Sequence, residues 1–292
     1  MNLIYSKNPK GNFGDDLNPY IFNALFKDLF ENDETNDIDF FGIGTIIGSE
    51  GILTQEIKSK KKNIFFGSGV RNLTMKYSTD NWDIRFLRGP ISSNILGLNN
   101  EKFITDGAYA YTALPEYGNF LNKKKTYKFS FMPHLSHTEY IDWDKLESRS
   151  GVHIISPHQE VEKSLKEISE TEYLIAGAMH GAIMADILRV PFVRLRMEAV
   201  NSESFLMSDF KWLDWFSSMN LKNVDVYVKN IHLHNRNYKE KIRHLFFIKE
   251  LESKIKGIKN NLNIFQLSDE NIFKEKVHLI NNEIDKLKSD YK

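Results

Sequence analysis

The 292-residue chain has no cysteine, which excludes a disulfide scaffold, a thiolate metal site and a cysteine nucleophile. It also has no excess of either charge. The 39 Lys and Arg match the 39 Asp and Glu, so the broad positive field of a nucleic-acid binder is missing and no nucleic-acid partner is expected. No stretch approaches the roughly 18 uninterrupted apolar residues of a membrane span. The opening MNLIYSKNPKGNFGDD lacks the apolar core of a signal peptide, and a cytoplasmic protein is expected. Against these absences stands a large apolar inventory. Hydrophobic residues are 41% of the chain and 21 of its residues are Phe, enough to offset the entropy of folding and to argue against disorder.

Short apolar runs recur, each followed by Gly, Ser or Asp and then by a helix-period segment. This β–loop–α rhythm predicts strands near 3–6, 38–43, 63–67, 84–87 and 102–105, with a helix over 17–30. The pattern loosens at ALPEYGNFLNKKK, where Pro115, Gly118 and Lys123 to Lys125 read as a linker. A second set follows, with strands near 127–132, 152–156, 173–176 and 192–195 and helices near 161–169 and 180–188. Two open α/β domains, over 1–118 and 124–229, are expected, with a charged helical segment over 230–292. In that segment Ile242, Leu245, Ile248, Leu251, Ile255 and Ile258 recur at spacings of three and four, and Ile242, Leu251 and Ile255 are expected to be buried. Its mixed charges favour packing on the protein over contact with a membrane surface, and self-association stays open. Ligands of paired α/β domains bind at the carboxyl ends of the strands, so site residues are expected on the loops that follow them.

Six segments carry candidate chemistry. In Lys10-Gly11-Asn12-Phe13-Gly14-Asp15-Asp16-Leu17-Asn18-Pro19 the glycines allow close approach, and Asn18 reads as the cap of a helix starting at Pro19. Asp15 and Asp16 repel phosphate and suit sugar hydroxyls or acid–base work; a plain capped turn is the alternative. The loops holding Gly44 and, further on, Ser68 and Arg71 are Gly/Ser-rich strand ends, each readable as a turn or a ligand contact. Arg88, ahead of Gly89-Pro90, has the guanidinium fork that clamps carboxylate or phosphate. Asp106, in Ile104-Thr105-Asp106-Gly107, can bind hydroxyls or cap a turn. His134, His137 and His158 follow neighbouring strands. They lack a helical His-x-x-x-His context, so no metal is expected, and they read as donors to an anionic substrate. The sixth segment, Ala178-Met179-His180-Gly181-Ala182 between two strands, sets His180 at a helix start, where it can give or take a proton near neutral pH or simply be a satisfied core imidazole.

Together, GNFGDD, the RGP followed by Ser92, ITDGA and above all MHGAIMADILRVPFV resemble the polysaccharide pyruvyl transferase family, from Gly11 to about Leu195. The resemblance implies two Rossmann-like halves in a GT-B-like arrangement. The implied reaction moves the pyruvyl group of phosphoenolpyruvate onto a saccharide or lipid-linked oligosaccharide as a cyclic ketal, with no cofactor beyond that donor. His180 matches the family's motif histidine and Arg88 its arginine before Gly-Pro, so these two are the expected catalytic pair. Asn12, Gly14, Asp15, Asp16, Gly44, Ser68, Arg71, Asp106, His134 and His158 are the expected substrate contacts. Many relatives carry an arginine where this chain has Ala178, which leaves one anion contact to Arg71, His134 or His158. A nucleotide-sugar glycosyltransferase and a non-catalytic glycan binder share the architecture and remain the competing readings.

Overall fold

A computed structural model of the chain describes residues 1–48, 62–72, 77, 79–98, 102–197, 205–229 and 237–291. Two five-stranded sheets organise it, and every strand pairing within them is parallel. The first contains β1 (Asn2–Ile4), β2 (Ile38–Phe41), β3 (Thr45–Ile47), β4 (Lys62–Val70) and β5 (Trp82–Leu87). The long β4 lies against β2 and β5 over its first residues and takes β3 at Gly69 and Val70. The second sheet runs β10 (Asp225–Val228), β9 (Phe192–Met197), β8 (Thr171–Ala176), β6 (Tyr127–Met132), β7 (His153–Ile154). Strands such as β2 and β4 are buried along almost their whole length, as parallel strands covered on both faces require.

Helix α1 (Phe13–Leu25) follows β1, with the short α2 (Lys27–Phe30) behind it. It starts four residues earlier than the sequence suggests. Asn18 is not its cap but a buried interior residue, and Pro19 lies inside the helix. Proline has no N–H to give the carbonyl four residues back, and Asn18 Nδ2 donates to that orphaned Asp15 carbonyl instead, at 3.1 Å. The same amide side chain bridges to the backbone N–H and C=O of Ile43, at 2.8 and 3.0 Å. Each such bond contributes about 1 kcal/mol. Pro19 therefore does not break the helix, because its neighbour repairs the gap and anchors α1 to the loop after β2.

One further expectation is corrected. Residues 102–105 form no strand; only Phe103 bridges Leu87, because the chain turns at once into a 3-10 segment, Gly107–Ala113, capped by Asp106. That segment is buried, and Tyr109 and Tyr111 join the large apolar cluster. A second 3-10 turn, Pro115–Phe120, precedes the exposed lysines 123–125.

Helices α3 (Pro90–Ile95), α4 (Trp143–Ser150), α5 (Val161–Ser169), α6 (Met179–Ile187) and α7 (Phe205–Ser218) lie between the strands. One apolar cluster joins residues from both sheets and their helices: Phe22, Phe40 and Phe66 with Ile183, Phe192 and Trp215. The last two helices divide their allegiance. From α8 (Tyr238–Lys259), Phe247, Leu251, Ile255 and Ile258 pack on Phe131, Val193 and Leu195 of the second sheet. From α9 (Glu270–Asp290), Phe273, Ile280, Ile284 and Leu287 enter the shared cluster, and the helix end is fastened to β5 by Arg85–Asp290 at 2.6 Å and Tyr291 Oη donating to Asp83 at 2.7 Å. Leu251 and Ile255 are buried as expected. Ile242 is not: at 39% exposure it sits on the outer side of the first turns of α8, opposite Phe247 and Leu251.

Candidate active site

The loops of the two sheets are stitched together where their strands end. Phe13 N–H donates to the Pro157 carbonyl at 2.8 Å. His158 donates from Nδ1 to the Gly11 carbonyl at 3.0 Å, and its Nε2 lies 2.9 Å from Thr138 Oγ1. Lys10 pairs with Glu139 across the same seam. Gly11 has φ +79°, and a Cβ there would stand 2.7 Å from the His158 carbonyl, so the approach needs glycine.

Gly14 serves the imidazole directly. A Cβ at Gly14 would lie 2.2 Å from His180 Nδ1, so the ring of the second half rests on the bare first turn of α1. His180 Nε2 is buried with no hydrogen-bond partner and stands 4.0 Å from Asp106 Oδ2, too far for a hydrogen bond. Burial, with the like charges of Arg88 and Lys211, pushes the His180 pKa down to about 3. The free imidazole is therefore neutral around pH 7, a base rather than a ready acid. Asp106 is fully buried; its Oδ1 accepts from Ala108 N–H at 3.0 Å and its Oδ2 has no partner. Burial raises its pKa to about 6, with Arg88 opposing the rise.

Arg88 shows why the tripeptide Arg-Gly-Pro belongs here. Its guanidinium lies over Gly69, where a Cβ would meet Nη2 at 2.2 Å. Nε donates to Asp214 at 3.3 Å and Nη1 to Thr45 Oγ1 at 2.9 Å, while the buried Nη2 has no partner. Asp214, on α7, also accepts from the Ile91 and Ser92 N–H groups at 3.0 Å each and from Ser92 Oγ at 2.6 Å, which caps α3 behind its Pro90 start. A Cβ at Gly89 would meet the Asp214 carbonyl at 2.0 Å, so glycine is what lets α7 come this close.

Asp15 is held by Asn12 Nδ2 at 2.5 Å and Asp16 accepts from the Asn12 N–H at 2.9 Å. Burial pushes the Asp15 pKa up to about 6; the Asn12 bond opposes the rise, Asp16 adds to it and Lys211 opposes it. Lys211 thus acts on both Asp15 and His180. The other expected contacts are placed differently. Ser68 spends its hydroxyl on the Gly42 carbonyl at 2.6 Å, and Gly44, at φ +129°, accepts from Gly69 N–H at 2.9 Å. Arg71 is exposed just beyond β4. His134 turns its Nδ1 to Ser136 Oγ at 2.8 Å.

Gly14, Asp15, Asp16, Arg88, Asp106 and His180 therefore come together, and Lys211 and Asp214 join them unannounced by any motif. The available signal was two ionisable residues three apart in the aromatic helix FKWLDWF, where a charge facing the core needs a partner.

The polysaccharide pyruvyl transferase family model matches residues 12–197, from Asn12 at the head of α1 to the end of β9, and the chain belongs to that family. It is 31% identical over 222 residues to the succinoglycan biosynthesis protein ExoV of Rhizobium meliloti (strain 1021); the match covers 75% of this chain and 65% of ExoV, just under two thirds of that relative. A crystallographically solved, uncharacterised protein of Klebsiella pneumoniae gives a TM-score of 0.45 at 18% identity, over 78% of this chain and 93% of that one.

Proposed function

We propose that the protein transfers the pyruvyl group of phosphoenolpyruvate to two hydroxyls of a saccharide as a ketal, in the assembly of a surface polysaccharide. The observation that carries this reading is the set of buried groups left unpaired in one place: Arg88 Nη2, His180 Nε2 and Asp106 Oδ2. Buried polar atoms are normally satisfied, and a donor–acceptor set without partners suits an anionic ligand bearing hydroxyl-directed chemistry. The two sheets are read as Rossmann-like domains in a GT-B-like arrangement, over 1–118 and 124–229, with the donor and acceptor meeting between them.

The reaction balances without a cofactor. The methylene carbon of the donor gains a proton while one acceptor hydroxyl adds to the adjacent carbon and gives up one in exchange, the bond from that carbon to the phosphate oxygen breaks, and a second hydroxyl closes the ring, its proton leaving with the phosphate. Arg88, with Lys211, holds the donor anion and offsets charge during transfer. The neutral His180 accepts a proton from the attacking hydroxyl or, once an anionic donor beside it has raised its pKa, supplies one to the methylene carbon. Asp15, Asp16 and Asp106 orient acceptor hydroxyls. A cytoplasmic location at the inner membrane face fits a lipid-linked acceptor; among the described residues no helix is long and apolar enough to cross a membrane.

Mass spectrometry of the surface glycan from cells with and without the protein tests the reading. A pyruvyl mass lost in its absence is expected, and an unchanged glycan would overturn the proposal.

A further inference from the structure

The first three turns of α8 carry a second apolar face that the fold does not use. Tyr238, Ile242, Leu245 and Phe246 follow the i, i+4, i+7, i+8 spacing of one helix side and are 79%, 39%, 51% and 63% exposed. Six large apolar side chains are exposed among the described residues, and four of them are in this stripe. Phe247, Leu251, Ile255 and Ile258 occupy the opposite side of the helix, buried on the second sheet, so the stripe faces outward. Lys239, Lys241, Arg243 and Lys249 are exposed around it, against a single acidic residue, Glu240.

The stripe also has a defined height in the fold. Lys229, at the end of β10, donates its N–H to Glu250 at 2.9 Å, while the far end of α8 reaches Ser150 through Lys259 Nζ at 2.5 Å. The helix therefore runs antiparallel to the strands. Residues 238–246, ahead of the buried Phe247, therefore lie on the carboxyl side of the sheet and span about 13 Å at 1.5 Å per residue. The loop after β6, with His134, and the start of α6 after β8, with His180, leave the sheet on that same edge.

We infer that the first three turns of α8 dock on an anionic phospholipid bilayer, with the apolar stripe in the headgroup–acyl boundary and the flanking cations on lipid phosphates. An exposed aromatic and aliphatic stripe bordered by Lys and Arg is the chemistry of an interfacial helix, and the charge balance matches a negative surface rather than a neutral one. Docking on this face brings the carboxyl edge of the second sheet towards the membrane. The inference deepens the pyruvyl-transfer reading, because it brings the site near a lipid-carried acceptor, although the docking itself needs no reaction.

The test is co-sedimentation of the full chain with vesicles of phosphatidylcholine and phosphatidylglycerol in equal parts, and with phosphatidylcholine alone. The protein should pellet with the anionic vesicles, weakly or not at all with the neutral ones, and less as salt rises. Leu245→Ser/Phe246→Ser should weaken binding at least about tenfold through lost apolar burial, and Lys239→Glu/Lys241→Glu should do so through charge. Both pairs are exposed, so an unchanged melting curve shows the variants folded. Wild-type protein left in the supernatant would overturn the inference, as would variants that bind like wild type. So would a wild-type dimer in light scattering that the Leu245/Phe246 variant loses, since the face would then belong to a second copy. The vesicles contain no sugar and no phosphoenolpyruvate, so failure to bind leaves pyruvyl transfer standing, and an unchanged glycan in cells leaves docking standing.

Discussion

Asp106 and Asp186 are both completely buried carboxylates in one α/β frame, yet they are built to opposite ends. Asp186, on α6, accepts Tyr109 Oη at 2.6 Å, Ser268 N–H at 2.7 Å and Ser268 Oγ at 2.7 Å, with Arg189 Nη1 3.7 Å away and itself donating to Ser268. Asp106 has one such bond, an unpaired oxygen, and neighbours in Arg88 and His180 that are also incompletely paired. The first is a joint, tying α6, the 3-10 segment and the head of α9 together. The second holds polar groups out of water without satisfying them, a cost that a ligand completing them would offset.

That contrast can be broken by substitution. The largest effect is expected at His180→Ala, which should cut transfer of pyruvate to the glycan by about a hundredfold or more, the usual worth of a general acid or base, while the melting temperature stays near that of wild type. Pyruvylated product measured by mass spectrometry checks it; retained activity would make the imidazole a packing residue. Asp186→Ala should do the reverse. It strands Tyr109 Oη and Ser268, so urea denaturation should show a loss of about 3 kcal/mol or more, with the folded fraction retaining its specific activity.

Gly14→Ala sharpens the comparison, because its backbone is ordinary α-helix and alanine favours that helix by up to about 1 kcal/mol. The added methyl nevertheless has no room beside His180 Nδ1. Activity should fall about tenfold to a hundredfold as the ring is displaced, with stability little changed in equilibrium unfolding.

The smallest effect concerns pH. The folded pKa of Asp106 is raised from 3.8 to about 6, so its contribution to stability is full in acid and disappears as pH rises through about 6. Asp106→Asn keeps an acceptor for Ala108 N–H and never ionises. It should therefore melt like wild type near pH 4 but at a higher temperature than wild type at pH 8. Equal melting differences at both pH values would show that the carboxylate is not held against its charge.

How much of this was legible beforehand depended on the range of the interaction. The β–loop–α rhythm and most strands could be read from apolar runs, because a parallel strand buried on both faces leaves a local signature. The start of α1 could not, since the signal at Asn18-Pro19 was a good local cap and the answer lay in Ile43, 25 residues away. The same holds for Asp214 and Lys211, whose meaning comes from Arg88, Asp15 and His180 on distant loops. Ile242 was misplaced because helical spacing reveals a stripe but not which stripe meets the protein.

The residue order alone determined the kinds of groups this protein can use: histidine, arginine and carboxylates on strand-end loops, no thiol, and glycines where backbones must meet. Only the tertiary structure decided their states. Burial beside Arg88 keeps His180 neutral, burial raises the Asp106 pKa against the pull of Arg88, and packing across the seam decides which polar atoms are paired and which are left open, because desolvation and close approach are properties of neighbours in space and not in sequence.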